Sequence, residues 1–190
     1  MSTTAAPYGL RPVRLIGGRN FAGSTRMIKI ASGYNTNIFY GDAVKLVAAG
    51  VVEKDVGTTA LTPVGIFLGC SYTDSTLGFV QRQYWPANQV ASDAVAYVCD
   101  DPDVEIQIQA DGVVAQTALG SNFALVQGAG STVTGNSAIS LDADTTATTN
   151  TLPVRLVGFV DGPNSTVGDA YTDCLVKWNA GHQYNNVEGV

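Results

Sequence analysis

At 190 residues the chain is long enough for one domain with a sizeable core, and only 14% of it is charged, well under the ~25% of ordinary soluble domains. Its formal net charge of −6 is unevenly divided: residues 1–41 hold five basic side chains (Arg11, Arg14, Arg19, Arg26, Lys29) and no carboxylate, while the remainder sets five basic against sixteen acidic residues, net −11. No apolar run reaches bilayer-spanning length, and Met1–Pro7 lacks a basic stretch followed by an apolar one, so neither a membrane partner nor a secretory signal is expected.

The leader, residues 1–41 with a first strand, interleaves its cations with Pro7, Tyr8, Leu10, Pro12, Val13, Leu15 and Ile16. This is an apolar-basic ribbon rather than a polyelectrolyte, and the acidic body behind it would be repelled by nucleic acid, so no nucleic-acid partner is expected. Extended docking on an acidic protein surface fits such a ribbon, because its prolines pre-order the chain. Pairing of the leader into the protein's own sheet is the plain alternative.

Residues 42–190 form the body. Short runs rich in valine, isoleucine, threonine and tyrosine, punctuated by glycine and proline, predict strands every eight to twelve residues. In chain order they are 26–30, 43–48, 64–72, 80–85, 95–99, 104–110, 137–141, 155–160 and 171–179. The clearest alternation, Val104-Glu-Ile-Gln-Ile-Gln-Ala110, puts Val104, Ile106 and Ile108 inward and leaves Glu105, Gln107 and Gln109 wet. A helical turn or two is expected over 113–119, ended by Gly120. Residues 128–152 are mostly small and polar and read as a mobile excursion around one strand. The expected fold class is therefore all-β: a compact β-barrel or sandwich with an extended N-terminal arm and at most one short helix. Three Gly-Asp-Ala or Ser-Asp-Ala steps (at Asp42, Asp93 and Asp169) read as turns whose carboxylate bonds the next amides.

Chemistry-bearing residues are sparse. The isolated Cys70, Cys99 and Cys174 suit a core better than a disulfide framework or a metal. The single histidine, His182, has one conceivable partner for nucleophilic chemistry, Cys174, which sits mid-strand where thiols are inert. No esterase, zincin or nucleotide-loop motif occurs, so no enzyme and no cofactor is expected. The cluster Asp100, Asp101, Asp103 and Glu105 is a weak calcium candidate, because hard cations want bunched oxygens, although Pro102 marks a rigid solvated turn. Tyr84-Trp85-Pro86 and Trp178 could stack on sugars, yet such tryptophans more often anchor cores.

Several stretches resemble tailed-bacteriophage head decoration (capsid cement) proteins. They are Ala6-Pro-Tyr-Gly-Leu-Arg-Pro-Val-Arg-Leu-Ile-Gly-Gly18, Ile30-Ala-Ser-Gly-Tyr-Asn-Thr-Asn-Ile-Phe-Tyr-Gly-Asp-Ala-Val-Lys45, Gly65-Ile-Phe-Leu-Gly-Cys-Ser-Tyr72, Tyr84-Trp-Pro86, Val98-Cys-Asp-Asp-Pro102 and Asn179-Ala-Gly-His-Gln-Tyr184. The resemblance covers most of the chain except 128–152. It implies a β-barrel-centred virion protein, made in the host cytoplasm and bound to the outer capsid surface. There it would bridge capsomers of the major capsid protein as a homo-oligomer, a trimer ahead of a dimer. With the leader's composition it nominates Tyr8, Leu10, Arg11, Val13, Arg14 and Arg19 as the capsid interface. The alternative is a carbohydrate-binding or host-adhesion module on the virion surface.

Overall fold

The computed structural model describes residues 3–179, 181–185 and 189; Met1 and Ser2 of the leader and Ala180 of the closing motif lie outside the described residues. The chain is all-β, in two principal antiparallel sheets. The first runs β1 (Arg11–Leu15), β8 (Val104–Gln109), β13 (Asp173–Trp178), β12 (Val154–Phe159) and β9 (Asn122–Phe123). The second runs β2 (Arg26–Lys29), β7 (Val95–Cys99), β5 (Gly65–Asp74), β3 (Ala43–Leu46) and β4 (Val52–Lys54), with β6 (Gly78–Arg82) added beside β5. A parallel bridge from Ile30 to Val52 joins the ends of this second sheet and closes it into a small barrel. A two-stranded ribbon of β10 (Leu125–Val126) and β11 (Ser140–Leu141) completes the set.

Period-two alternation divides the apolar residues between two cores. Val44, Phe67 and Val98 point into the barrel with Tyr72 and Trp85, whose rings meet edge-on at 5.3 Å. Their neighbours Ala43, Ile66 and Cys99 point out of it, against Val104, Ile106, Ile108, Val154, Leu156, Val176 and Trp178 of the first sheet. Strand β5 thus serves both cores, which explains its nearly continuous burial. Burying each of its large side chains stabilises the fold by about 1.5–3 kcal/mol. Gly65 marks where β5 and β7 come too close for a side chain, because a β-carbon there would run into the Cys99 carbonyl.

The first sheet's outer face is polar by register. Arg14, Glu105, Lys177, Arg155 and Asn122 are cross-strand neighbours in one row across β1, β8, β13, β12 and β9. Arg155 Nε donates to Asn122 Oδ1 at 2.9 Å. Glu105 has Arg14 on one side and Lys177 on the other, and these opposite charges favour the register there, whereas Lys177 across from Arg155 is a like-charge pair that does not.

Several sequence expectations shift here. The leader does not extend away: β1 is the edge strand of the first sheet, paired along β8 from Arg11↔Gln107 to Leu15↔Val104. Glu105 and Gln109, expected wet, are only 6% exposed, because the leader packs beside them and Ala6 N donates to Gln109 Oε1 at 2.8 Å. Part of the stretch 128–152 is packed, since Ile139 and Leu141 are fully buried and Gly130 leaves no room for a β-carbon against the Phe39 ring, while Ser131–Thr134 stay exposed. Of the helical turns expected over 113–119 only a single 3-10 turn, Gln116–Ala118, forms. The expected strand at 80–85 begins earlier, at Gly78, and ends at Arg82. Among the described residues no helix is long and apolar enough to cross a membrane.

Candidate interaction surface

The leader is held to the body by apolar, polar and charged contacts. Leu10 is fully buried in the core between the sheets, and its amide donates to Gly41 O at 2.9 Å. Gly9 makes that approach possible: it has a φ of +78°, and a β-carbon would sit 2.6 Å from Ser137 Cβ. Tyr8 donates its hydroxyl to Asp173 Oδ1 at 2.9 Å, and Arg11 stacks its guanidinium 4.1 Å from the Tyr8 ring centre. Burial, then the Asp173 charge, push the phenol above its ordinary range; burial also raises Asp173. Arg14 grips Glu105 with Nε and, at 3.2 Å, with Nη2, the two-pronged geometry that guanidinium and carboxylate share.

Beyond β1 the chain turns back. Leu15 N donates to Arg19 O at 2.8 Å and Gly18 N to Leu15 O at 3.0 Å. Gly17 and Gly18 supply the consecutive positive φ values, +96° and +85°, that this tight reversal needs. Asn20 bridges back to Arg14, and Ile16 N donates to Asp103 O at 2.9 Å, so the tip rests on the acidic turn. What remains outward is a small apolar-basic patch: Val13 (42% exposed), Ile16 (43%) and Arg19. Beside it opens a groove of about 400 Å³, lined by Leu15, Phe21, Arg26, Pro102 and Tyr184.

The six nominated interface residues therefore divide. Val13 and Arg19 stay available; Arg11 is exposed but stacked; Tyr8, Leu10 and Arg14 bind the chain's own body. Leu10 is corrected outright, since a side chain with no exposed surface has no face for a partner. The calcium reading of the acidic cluster is corrected too. Asp100 pairs with Arg26, Asp103 with Lys177 at 3.2 Å, and Glu105 with Arg14, while Asp101 Oδ1 caps the turn by accepting Asp103 N at 2.8 Å. Among the described residues no three His, Cys, Asp or Glu side chains are grouped to hold a metal ion.

Cys70, Cys99 and Cys174 are free and buried, and burial pushes each thiol up to about 12. Cys174 donates to the Thr172 carbonyl at 3.7 Å, whereas His182 lies against Trp178 and Tyr184 and accepts Tyr184 N at 3.3 Å. Burial keeps that imidazole below its ordinary pKa. Trp85 and Trp178 are core residues at 0% and 1% exposure and present no stacking face.

Sequence reasoning missed two groupings. One is a buried polar knot in which Asp42, fully buried, accepts Ser137 Oγ (2.6 Å), Phe39 N (2.8 Å) and Lys54 Nζ (2.9 Å). The other is a second groove at the rim of the barrel, around Arg82. Only Gly69 inside a strand pattern hinted at it, as a possible bulge. The chain matches no protein-family model, no curated protein and no solved structure with which it was compared.

Proposed function

We propose that the chain is a virion structural protein: a decoration or cement protein on the outer surface of a phage head, bound to the major capsid protein and bridging capsomers. The observation that carries this reading is the glycine-tipped hairpin at 13–21. It offers apolar and basic groups at a sheet edge, on a body whose net charge is negative. Two fully packed cores make a rigid platform for such a patch, and a rigid platform loses little entropy on docking. The resemblance of the leader and of the β5 and β7 segments to cement proteins supports the same reading.

In this mechanism the leader sets the position of the patch instead of wrapping the partner. Ile16 and Val13 enter an apolar depression, and Arg19 meets a carboxylate at its rim. Each such contact is modest, so occupancy rests on several copies acting together, as a homo-oligomer would provide. The test is co-sedimentation with undecorated heads. The double variant Ile16→Ser with Arg19→Glu, both on exposed positions, is expected to melt like the parent and to lose head binding. Full-strength binding by that variant would overturn the role of the hairpin.

A further inference from the structure

A strand at the rim of a sheet exposes unpaired backbone groups, and the two principal sheets cover their rims with one exception. The open edge of β1 is closed by the returning chain, where Leu15 N donates to Arg19 O at 2.8 Å and Phe21 N to Val13 O at 3.4 Å. Asn122 of β9 exchanges amide bonds with Ala147 at 2.8 and 3.1 Å, and the ends of the β2 to β4 sheet meet at the Ile30–Val52 bridge. Strand β6 pairs with β5 on one side and, among the described residues, with nothing on the other. The ladder fixes which of its groups are free. Thr73 N donates to Asp93 Oδ1 at 3.1 Å, away from β6, so Thr73 and Phe79 are opposite one another without exchanging backbone bonds. Such pairs alternate along an antiparallel ladder, so Phe79 and Gln81 both turn their N–H and C=O groups away from β5. None of these groups has a partner among the described residues.

Edges that must stay solitary are usually guarded by lysine, proline or an acid. Residues 77–81, Leu-Gly-Phe-Val-Gln, contain none of these, and Leu77 and Phe79 are 64% and 68% exposed. The edge is also its own complement. Two copies set antiparallel about a two-fold axis at Val80 bring Phe79 of each opposite Gln81 of the other. Every outward N–H then meets an outward C=O. In the same register Val80 faces Val80, and Arg82 faces Gly78 of the second copy. Gly78 has no side chain, and across the ladder from it stands Asp74. The one charged residue of the strand therefore meets no like charge, and the nearest charge along its row has the opposite sign.

We propose that β6 is the seam of a symmetric dimer, in which two copies of this chain join their second sheets edge to edge. A foreign strand could take the backbone bonds, but a second copy also matches the strand in length and places Arg82 on the row of Asp74. A two-fold seam closes on itself, so assembly through it stops at two copies, in contrast to the trimer that the resemblance implies. One short strand from each copy makes a small interface, so the dimer is weak, with a Kd on the order of 10–100 µM. The inference goes beyond head attachment and does not need it. The seam lies on the second sheet and the 13–21 hairpin on the first, and self-association is measured on the purified chain alone.

The test is sedimentation velocity of the full chain from about 5 µM to about 1 mM, over which the parent is expected to pass from monomer to dimer. Phe79→Lys puts a lysine on the seam from both copies and is expected to weaken association roughly tenfold or more while melting like the parent. Across the axis Val80 forms a pair without ladder bonds, where α-carbons approach to about 4.5 Å, a separation that suits a disulfide. Val80→Cys is therefore expected to give a covalent dimer on oxidation with copper phenanthroline, since the native cysteines are buried. Val113→Cys, 59% exposed and outside the seam, is expected to give none. Should Phe79→Lys misfold, the contrast between the two cysteine variants carries the test. A parent still monomeric at about 1 mM, assembly into trimers, a folded Phe79→Lys protein that associates like the parent, or Val113→Cys cross-linking as fast as Val80→Cys would each overturn the proposal.

Discussion

Replacing Leu10 by alanine separates a leader that belongs to the fold from one that merely trails it. Leu10 has no exposed surface and packs in the core between the sheets. Removing a fully buried leucine side chain costs about 2–5 kcal/mol, the range depending on how far the site collapses. Against a typical total stability of about 5–15 kcal/mol this is a large fraction. For a chain of this size each kcal/mol lowers the Tm by about 2–4 °C, so a drop of roughly 4–20 °C is expected. Deleting residues 1–16 should do worse. It also removes the ladder along β8, the Tyr8 bond to Asp173 and the guanidinium that covers buried Glu105. We expect that truncation to be aggregated or unfolded, so it says nothing about head binding. The assay is a thermal melt followed by emission of the buried Trp85 and Trp178, both of which shift to the red on unfolding. A Leu10→Ala protein melting within about 2 °C of the parent, or a truncated chain with the parent's melt, would refute the claim that the leader is part of the fold.

Three further outcomes follow from buried groups and one from charge. The Cys70, Cys99 and Cys174 thiols, held near 12, should resist a thiol reagent at pH 8 in the native protein and react once it is unfolded; fast native labelling would contradict their burial. His182 has a folded pKa below the ordinary 6.5, so the unfolded chain takes up its proton first. Its contribution is complete above about 6.5 and is lost as pH falls through the folded value, so melts should decline on acidification from pH 7 to 5, and His182→Leu should flatten that decline. Asp42→Ala strands the nearly buried Lys54 ammonium, which should cost about 3–5 kcal/mol in urea unfolding; a double variant that also carries Lys54→Met should recover part of the loss. Finally, head binding should weaken only mildly when salt is raised, because Arg14 and Arg26 are already paired within the chain; a steep salt dependence would mean that the leader's cations face the partner.

Strand existence was largely legible because the pleat writes a period of two into Val104-Glu-Ile-Gln-Ile and forces it on any sequence that buries one face. Strands without that pattern were not legible. The register of β1 depends on Glu105 and Gln107, about ninety residues away, and β4, β9 and β10 are two or three residues long. The Gly-Asp-Ala steps were read as local turns, yet Asp42 reaches back to Phe39 N and across to Ser137, and Asp93 binds Thr73 on a neighbouring strand. Side-chain acceptors near turns choose among all the donors the fold brings close, and sequence shows only the adjacent ones. The interface nominations met the same limit. Composition distinguished the leader, but only the fold decides which of its cations are consumed internally.

The charge asymmetry along the chain has its first explanation inside the molecule. A strand that must join the edge of a sheet facing Glu105, close to Asp173 and the Asp100–Asp103 turn, gains from being cationic, since like charges across a ladder would repel it. The arginines at 14 and 26 therefore secure the leader in register and at the same time neutralise carboxylates that burial would otherwise penalise. Two of the leader's five positive charges are consumed in this way, while Arg11, Arg19 and Lys29 hold no carboxylate among the described residues. In the proposed reading, recognition falls to the apolar-basic hairpin tip at Ile16 and Arg19. Selectivity there comes from the local geometry of the hairpin and not from net charge.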